Sequence, residues 1–256
     1  MRNLLTIRAA RATIRGVPTP PEVEGLFVKK DGFSGWEGIP SRRREQVARA
    51  AEHGEFDVAV YLPGRTVLVD GWIVASSLGM LRELSALVAG VGGDGERVRV
   101  EVDELGVTQS GMARVISAEV ESGWVRAGGR FVRSFQVQFV FADPRKYGPV
   151  EVFPASGTAS SVTAFHRGNF PAHPVIEIPD GGTSFSVSSP GGTFSYSGAP
   201  AGGLHRIDMR RGRVTRDGED ISNLITSSDL WAIPAGARWM HTLSRPGRVI
   251  VPETSI

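Results

Sequence analysis

From Phe131 to Gly148 the chain reads FVRSFQVQFVFADPRKYG. Phe135, Val137, Phe139 and Phe141 alternate with Gln136, Gln138 and Val140. A period of two built from aromatic and β-branched residues describes a strand with one buried face. The strand is then cut off. Asp143-Pro144 biases the chain to an extended or turn geometry, and Pro144 has no amide proton for a ladder. Tyr147-Gly148-Pro149 follows. The stretch predicts the last strand of one β domain, residues 1–148, and the entry to a second, residues 149–256.

The first half supplies partners for that strand. Leu4 to Arg8 and Val23 to Lys30 are strand candidates. A Gly/Pro-punctuated loop, DGFSGWEGIP, carries Phe33 and Trp36. Aromatics there anchor a loop to a core or stack on a ligand, and neither has an obvious local partner. The run Arg42, Arg43, Arg44 suits a phosphate or, more simply, a solvated or interfacial face. Glu55–Leu62 and Arg65–Ala75, joined by Pro63-Gly64, predict a hairpin, with Gly71 marking a bulge or a close backbone approach. Ser76 or Ser77 caps a helix over residues 77–89, whose Leu78, Leu81, Leu84, Leu87 and Val88 recur at helical spacing. Gly90 is placed to end it in the left-handed conformation. Arg97–Val102 and Gly111–Val120 are strands on either side of a turn at Asp103–Gly106.

The second half differs in texture. Pro149–Ser161 reads as a linker with a first short strand. Short apolar runs follow, separated by PDGG, SPGG, SGAPAGG and RDGED. Strands at this spacing predict an antiparallel sandwich without helices. The 32 glycines and 16 prolines fit a chain rich in turns rather than long helices.

Composition removes several classes of function. With no cysteine, disulfides and thiolate metal sites are excluded. No apolar run approaches a membrane span. The Arg-rich start reads as a first strand rather than a transit peptide. A net charge of +2 gives no footprint for nucleic acid. The histidines, His53, His166, His173, His205 and His241, lack metal-ligand spacing. His205 and Asp208 lie close in sequence among many serines, but no GxSxG elbow accompanies them. Neither a GxGxxG loop after a strand nor a Walker A lysine occurs. No catalytic, cofactor or metal residue is predicted, and the protein is expected not to be an enzyme. An exposed aromatic platform at Trp231 or Trp239 would suit a carbohydrate-binding sandwich aiding host adsorption, although both sit in strand-like apolar runs.

The order of several short motifs carries a resemblance. Gly35-Trp36, Arg44, His53-Gly54-x-Phe56 and Gly71-x-Ile73 precede the Leu-rich helix, and Asp143-Pro144-x-x-Tyr147-Gly148 closes the first half. Gly168-Asn169-x-Pro171-Ala172-x-Pro174-x-Ile176, Leu204-x-x-Ile207-Asp208 and Trp231-x-Ile233-Pro234-x-Gly236 follow. This order resembles the distal tail protein (Dit) family of long-tailed phages, over nearly the whole chain. The resemblance implies a mainly β protein of two domains, a split-barrel-like N-terminal domain with one α-helix and a galectin-like C-terminal antiparallel β-sandwich. It implies a virion protein of the phage tail tip, assembled in the host cytoplasm as a homo-hexameric ring. That ring would be an adaptor hub for baseplate proteins. Its partners would be the tail tube protein, the tail hub or tail-associated protein, the tape measure and receptor-binding proteins. DNA would pass through the ring without specific binding, and no membrane or cofactor is implied. Phe33, Trp36, Arg42, Arg43 and Arg44 are the expected subunit interface. Asp143, Pro144, Tyr147 and Gly148 are the expected domain junction.

Overall fold

The computed structural model describes residues 5–16, 24–42 and 47–256. Its chain divides into two compact units, Met1–Lys146 with Ile256, and Tyr147–Ser255.

The first unit contains β1 (Leu5–Ala9), β2 (Ala12–Arg15), β3 (Gly25–Ser34), β4 (Arg65–Ala75), α1 (Leu78–Ala89), β5 (Val98–Glu104), β6 (Val107–Val120), β7 (Val125–Ala127) and β8 (Arg130–Phe141). Seven of the strands close on themselves in the order β1–β2–β3–β4–β8–β6–β5 and back to β1. Every pairing is antiparallel except β2 with β3. Closure leaves this sheet no open edge, the usual liability of an all-β chain. β4 and β8 pair without interruption from Arg65↔Phe141 to Ala75↔Phe131. Their alternating apolar residues therefore lie side by side, and Val67, Val69, Ile73, Phe135, Val137, Phe139 and Phe141 form one buried cluster. Gly71 stands opposite Phe135. A Cβ there would be 2.3 Å from Phe135 Cζ and 2.6 Å from the Phe27 carbonyl oxygen. The glycine marks a close approach; the irregularity in register sits on β3, between Val28 and Phe33.

Ser77 caps α1 by accepting a hydrogen bond from the Met80 amide at 3.1 Å. Leu81, Ser85 and Val88 are its buried residues, and the helix packs against β4, β6 and β8. Gly90 does not adopt the left-handed conformation expected of it. Its φ is −85°, and its N–H bonds the Ala86 carbonyl at 2.9 Å. The helix closes through another turn, and the positive φ falls on Gly92.

Glu55–Leu62 is not a strand of a hairpin. Both edges of β4 are taken, by β3 and β8, so this segment has no sheet to face. It carries isolated bridges at Glu55, paired with Ala48, and at Tyr61 rather than a strand, and Phe56 and Tyr61 are exposed. Nor is Pro149–Ser161 a linker. β9 (Lys146–Phe153) starts just after Pro144 and pairs with β18 (Arg238–Ser255), and β10 (Ala159–Phe165) follows.

The second unit continues with β11 (Val175–Ile178), β12 (Ser184–Ser189), β13 (Gly192–Ser197), β14 (His205–Asp208), β15 (Arg213–Arg216), β16 (Glu219–Asp220) and β17 (Ile225–Ser228). One sheet runs β10–β18–β12–β13–β17. The other runs β18–β11–β14–β15–β16. β18 belongs to both: its first part pairs with β10 and β12, and Arg248–Ile250 pair with β11. Inward residues of the two sheets, among them Phe185, Val187, Phe194, Ile176, Ile207 and Val249, share one core. This is an antiparallel sandwich whose layers are joined through a common strand.

Three histidines, His166, His205 and His241, are wholly buried in this unit. His205 Nδ1 is hydrogen-bonded to the Tyr196 hydroxyl. Burial pushes the Tyr196 phenol up to about 12, with Arg245 opposing. Burial also lowers the pKa of His205 and of His241; for His205 the backbone of Gly202 and the Asp217 carboxylate oppose it, and Arg216 adds to it.

Two outcomes follow from these contacts. Gly71→Ala should destabilise the first unit by about 1–3 kcal/mol, because the methyl group has nowhere to go; urea unfolding with an unchanged m-value measures it. Neutral His205 and His241 contribute stability that is full above about pH 6.5, their unfolded value. It falls as the pH drops below that value, and the loss is complete once the depressed folded values are passed. Urea midpoints should therefore be lower at pH 5 than at pH 7.5, and His205→Gln should flatten the difference.

Candidate functional site

The first strand residue of β4 occupies an inward position and is an arginine. Arg65 is 2% exposed, among the largest wholly buried side chains. Its guanidinium donates to four backbone carbonyls: Nε to Pro144 at 3.1 Å, Nη1 to Gly35 at 2.9 Å and to Trp36, and Nη2 to Gly38 at 3.1 Å. A planar fork with five donors suits such a ring of acceptors. Burial lowers its pKa and the Glu37 carboxylate opposes this; an arginine stays charged regardless. Gly35 and Gly38 both have φ of 81°, which curls the loop so that its carbonyls converge. A Cβ at Gly35 would stand 2.0 Å from the Thr66 carbonyl oxygen.

Trp36 and Pro144, assigned from sequence to an interface and to a junction, are thus held by one side chain. Trp36 is not free for a neighbour. It is 2% exposed, and its ring meets Phe141 edge-on with centroids 5.7 Å apart. Buried Lys146 lies 5.5 Å above the ring and pairs with Glu37 at 3.2 Å. Phe33 stands opposite Val69 and packs against the same core. The expectation that this loop's aromatics lack local partners is corrected here. Arg42 is exposed, and Arg43 and Arg44 lie outside the described residues. Asp143 accepts from Arg145 Nε at 2.7 Å in the first unit. In the second unit, the Tyr147 hydroxyl accepts from Arg210 at 2.7 Å, and Gly148 lies against Glu253. Arg65, Glu37 and Lys146 were missed. The available signal was parity, since Arg65 is in phase with Val67 and Val69.

The second-half motifs are pins of the same kind. In Gly168–Pro174 the Phe170 amide donates to the Thr254 carbonyl at 3.2 Å, and the Phe170 carbonyl meets His166 Nε2 at 2.6 Å. Ala172 and Ile233 exchange both backbone hydrogen bonds, and His173 Nδ1 lies 3.1 Å from the Trp231 carbonyl. Asp208 accepts from the Arg210 and Arg211 amides in the β14–β15 turn. Trp231 is buried, with Nε1 3.3 Å from His241 Nε2, and Trp239 packs on the core, so neither offers a sugar platform. Among the described residues no cluster of His, Asp or Glu could hold a metal ion, and no helix is long and apolar enough to cross a membrane.

The geometry has a counterpart among solved structures. The chain superposes on the SPP1 Dit (gp 19.1) protein, described as a paradigm of the hub adsorption apparatus in phages infecting Gram-positive bacteria. The TM-score is 0.74 at 16% identity, covering 99% of this chain and 100% of that one. The chain has the Dit fold. A component of the phage P2 baseplate in its activated conformation with calcium matches at a TM-score of 0.52 and 8% identity, over 98% of each chain. The strontium form gives the same TM-score and identity, over 97% of this chain and 98% of that one. No family model and no curated protein matches the sequence. The mainly β architecture implied by the motif order is the one found.

The Arg65 cluster generates a sharp expectation. Arg65→Ala strands four carbonyls in a buried site and should cost about 3 kcal/mol or more. Trp36→Ala should cost about 3–5 kcal/mol. Both losses should appear in monomer unfolding followed by circular dichroism.

Proposed function

We propose that the protein is a structural component of a phage tail tip, a hub that other tail proteins join. One observation carries this reading: the Dit fold extends over the whole chain, both units included, in a protein described as part of a hub adsorption apparatus. The baseplate component matches over nearly the same length. In this reading the closed barrel is the ring-forming part and the galectin-like sandwich is the adaptor. The two domains meet near residue 148, at Asp143, Pro144, Tyr147 and Gly148. The ring is a homo-hexamer in contact with tail tube and hub proteins, and it performs no catalysis.

A head-to-tail contact closes into a ring when its rotation divides a full turn. With Trp36 and Phe33 held in the barrel, the contact falls to what the β3–β4 connection leaves outside. Ile39 is 55% exposed and Tyr61 69% exposed, in a connection that also carries Arg42, Arg43 and Arg44. The purified chain should scatter light as six times its 27.4 kDa and show six-fold rings in negative stain. The double variant Ile39→Glu, Tyr61→Ser should be monomeric with unchanged circular dichroism. A wild-type protein that stays monomeric at every concentration, with or without the tube protein, would remove the ring from the proposal.

A further inference from the structure

Two crossover loops close one end of the sandwich. Residues 179–183 lead from β11 in one sheet to β12 in the other, and residues 198–204 lead back from β13 to β14. Backbone hydrogen bonds clasp the loops to each other. The Gly181 amide donates to the Gly203 carbonyl at 3.0 Å, and the Gly202 amide to the Gly181 carbonyl at 2.6 Å. The Gly198 and Ala199 amides both donate to the Thr183 carbonyl, at 2.8 and 3.1 Å. Ala199 is the only buried side chain that either loop contributes, so little besides these bonds holds the clasp. Beneath it His205 starts β14, wholly buried. Gly181 rests on the imidazole, and a Cβ there would overlap its Cγ, Cδ2 and Nε2. Nδ1 is hydrogen-bonded to the Tyr196 hydroxyl of the other sheet. Nε2 is buried and meets no hydrogen-bond partner among the described residues.

We propose that this clasp is worked by a proton: it is closed over neutral His205 and opens when His205 is protonated, letting water reach Nε2. A neutral ring tolerates the closed form. With its proton on Nδ1, donated to the Tyr196 oxygen, Nε2 is a bare lone pair. The imidazolium carries N–H on both nitrogens, and the second would be a buried, charged donor with nothing to bond. The surroundings do not answer it. The Gly202 carbonyl favours the charged form but already accepts from Arg216 Nε at 3.0 Å. Arg216, opposite His205 on β15, repels a second cation. Asp217 attracts one, yet its carboxylate accepts from the Leu204 amide at 2.8 Å. Arg245 of β18 lies against Gly182 and acts on Tyr196. Asp180 is exposed, and β11 and β12 bring only the uncharged Ile178 and Phe185 to this side. Burial lowers the His205 value in the closed form, and exposure returns it to about 6.5. Between the two, each unit of pH favours the open form by up to about tenfold. The proposal concerns the second unit alone and does not depend on ring formation.

The test is amide hydrogen exchange on the full chain at pH 7.5 and pH 5, corrected for intrinsic exchange rates. Peptides covering residues 179–184 and 198–204 should lose protection at pH 5 by about tenfold to thirtyfold, while peptides from β4 and β8 and from the rest of the sandwich keep theirs. His205→Gln cannot gain the charge, so its loops should be equally protected at both pH values. Should His205→Gln fail to fold, the midpoint of loop opening in the wild type is compared with the titration of the His205 ring followed by NMR, and the two must coincide. Four results would overturn the proposal: loops as protected at pH 5 as at pH 7.5, a loss of protection shared evenly across the sandwich, opening that persists in folded His205→Gln, or a midpoint that differs from the ring titration.

Discussion

A buried arginine organises the first unit. Four carbonyls from two segments distant in sequence meet on Arg65. The cost of removing its charge from water is offset only because those donors are answered so fully. Around it, Trp36 covers Phe141, Lys146 lies over Trp36, and Glu37 balances both cations. The GWEG loop and the Asp143-Pro144 stop therefore have the same physical cause. Each presents backbone oxygen to one guanidinium at the place where β4 starts and β8 ends.

The second unit uses a different device. Its two sheets are tied by a single long strand, β18, that passes from one ladder to the other. Polar side chains buried between the layers find partners there: the Tyr196 hydroxyl with His205, and the Trp231 indole with His241. The Trp231 indole can donate to His241 only while that imidazole is neutral, whereas the Tyr196 hydroxyl can serve as donor or acceptor for His205. The turn motif at Gly168–Pro174 closes this arrangement by bonding to the end of β18 and to Ile233.

The two constructions bear on the tail-tip reading in complementary ways. A barrel that closes on itself has no free edge to recruit neighbours by strand addition, so assembly contacts must come from what it projects. The β3–β4 connection leaves Ile39, Phe56 and Tyr61 exposed. The sandwich instead offers an outer sheet face of hydroxyls, with Ser161, Thr242, Ser188 and Thr193 in one exposed row.

Sequence alone determined the β class, the β8 strand and the α1 helix with a serine cap, Ser76 or Ser77. These rest on local periodicity, and period-two or helical spacing survives whatever the rest of the chain does. It also gave the order of motifs that pointed to the Dit fold, because each motif is a local turn or pin. Tertiary structure decided the rest. Glu55–Leu62 alternates as well as a strand should, yet forms none, because β4 had already filled both edges with β3 and β8. Pro149 looked like part of a linker, yet it sits within β9 beside the shared strand. Trp36 looked available, but whether an aromatic in a glycine loop faces solvent or a core depends on a residue 29 positions away. Arg65 shows why. Its parity was visible in the chain, but the convergence of carbonyls that makes an inward arginine tolerable exists only once the barrel has closed.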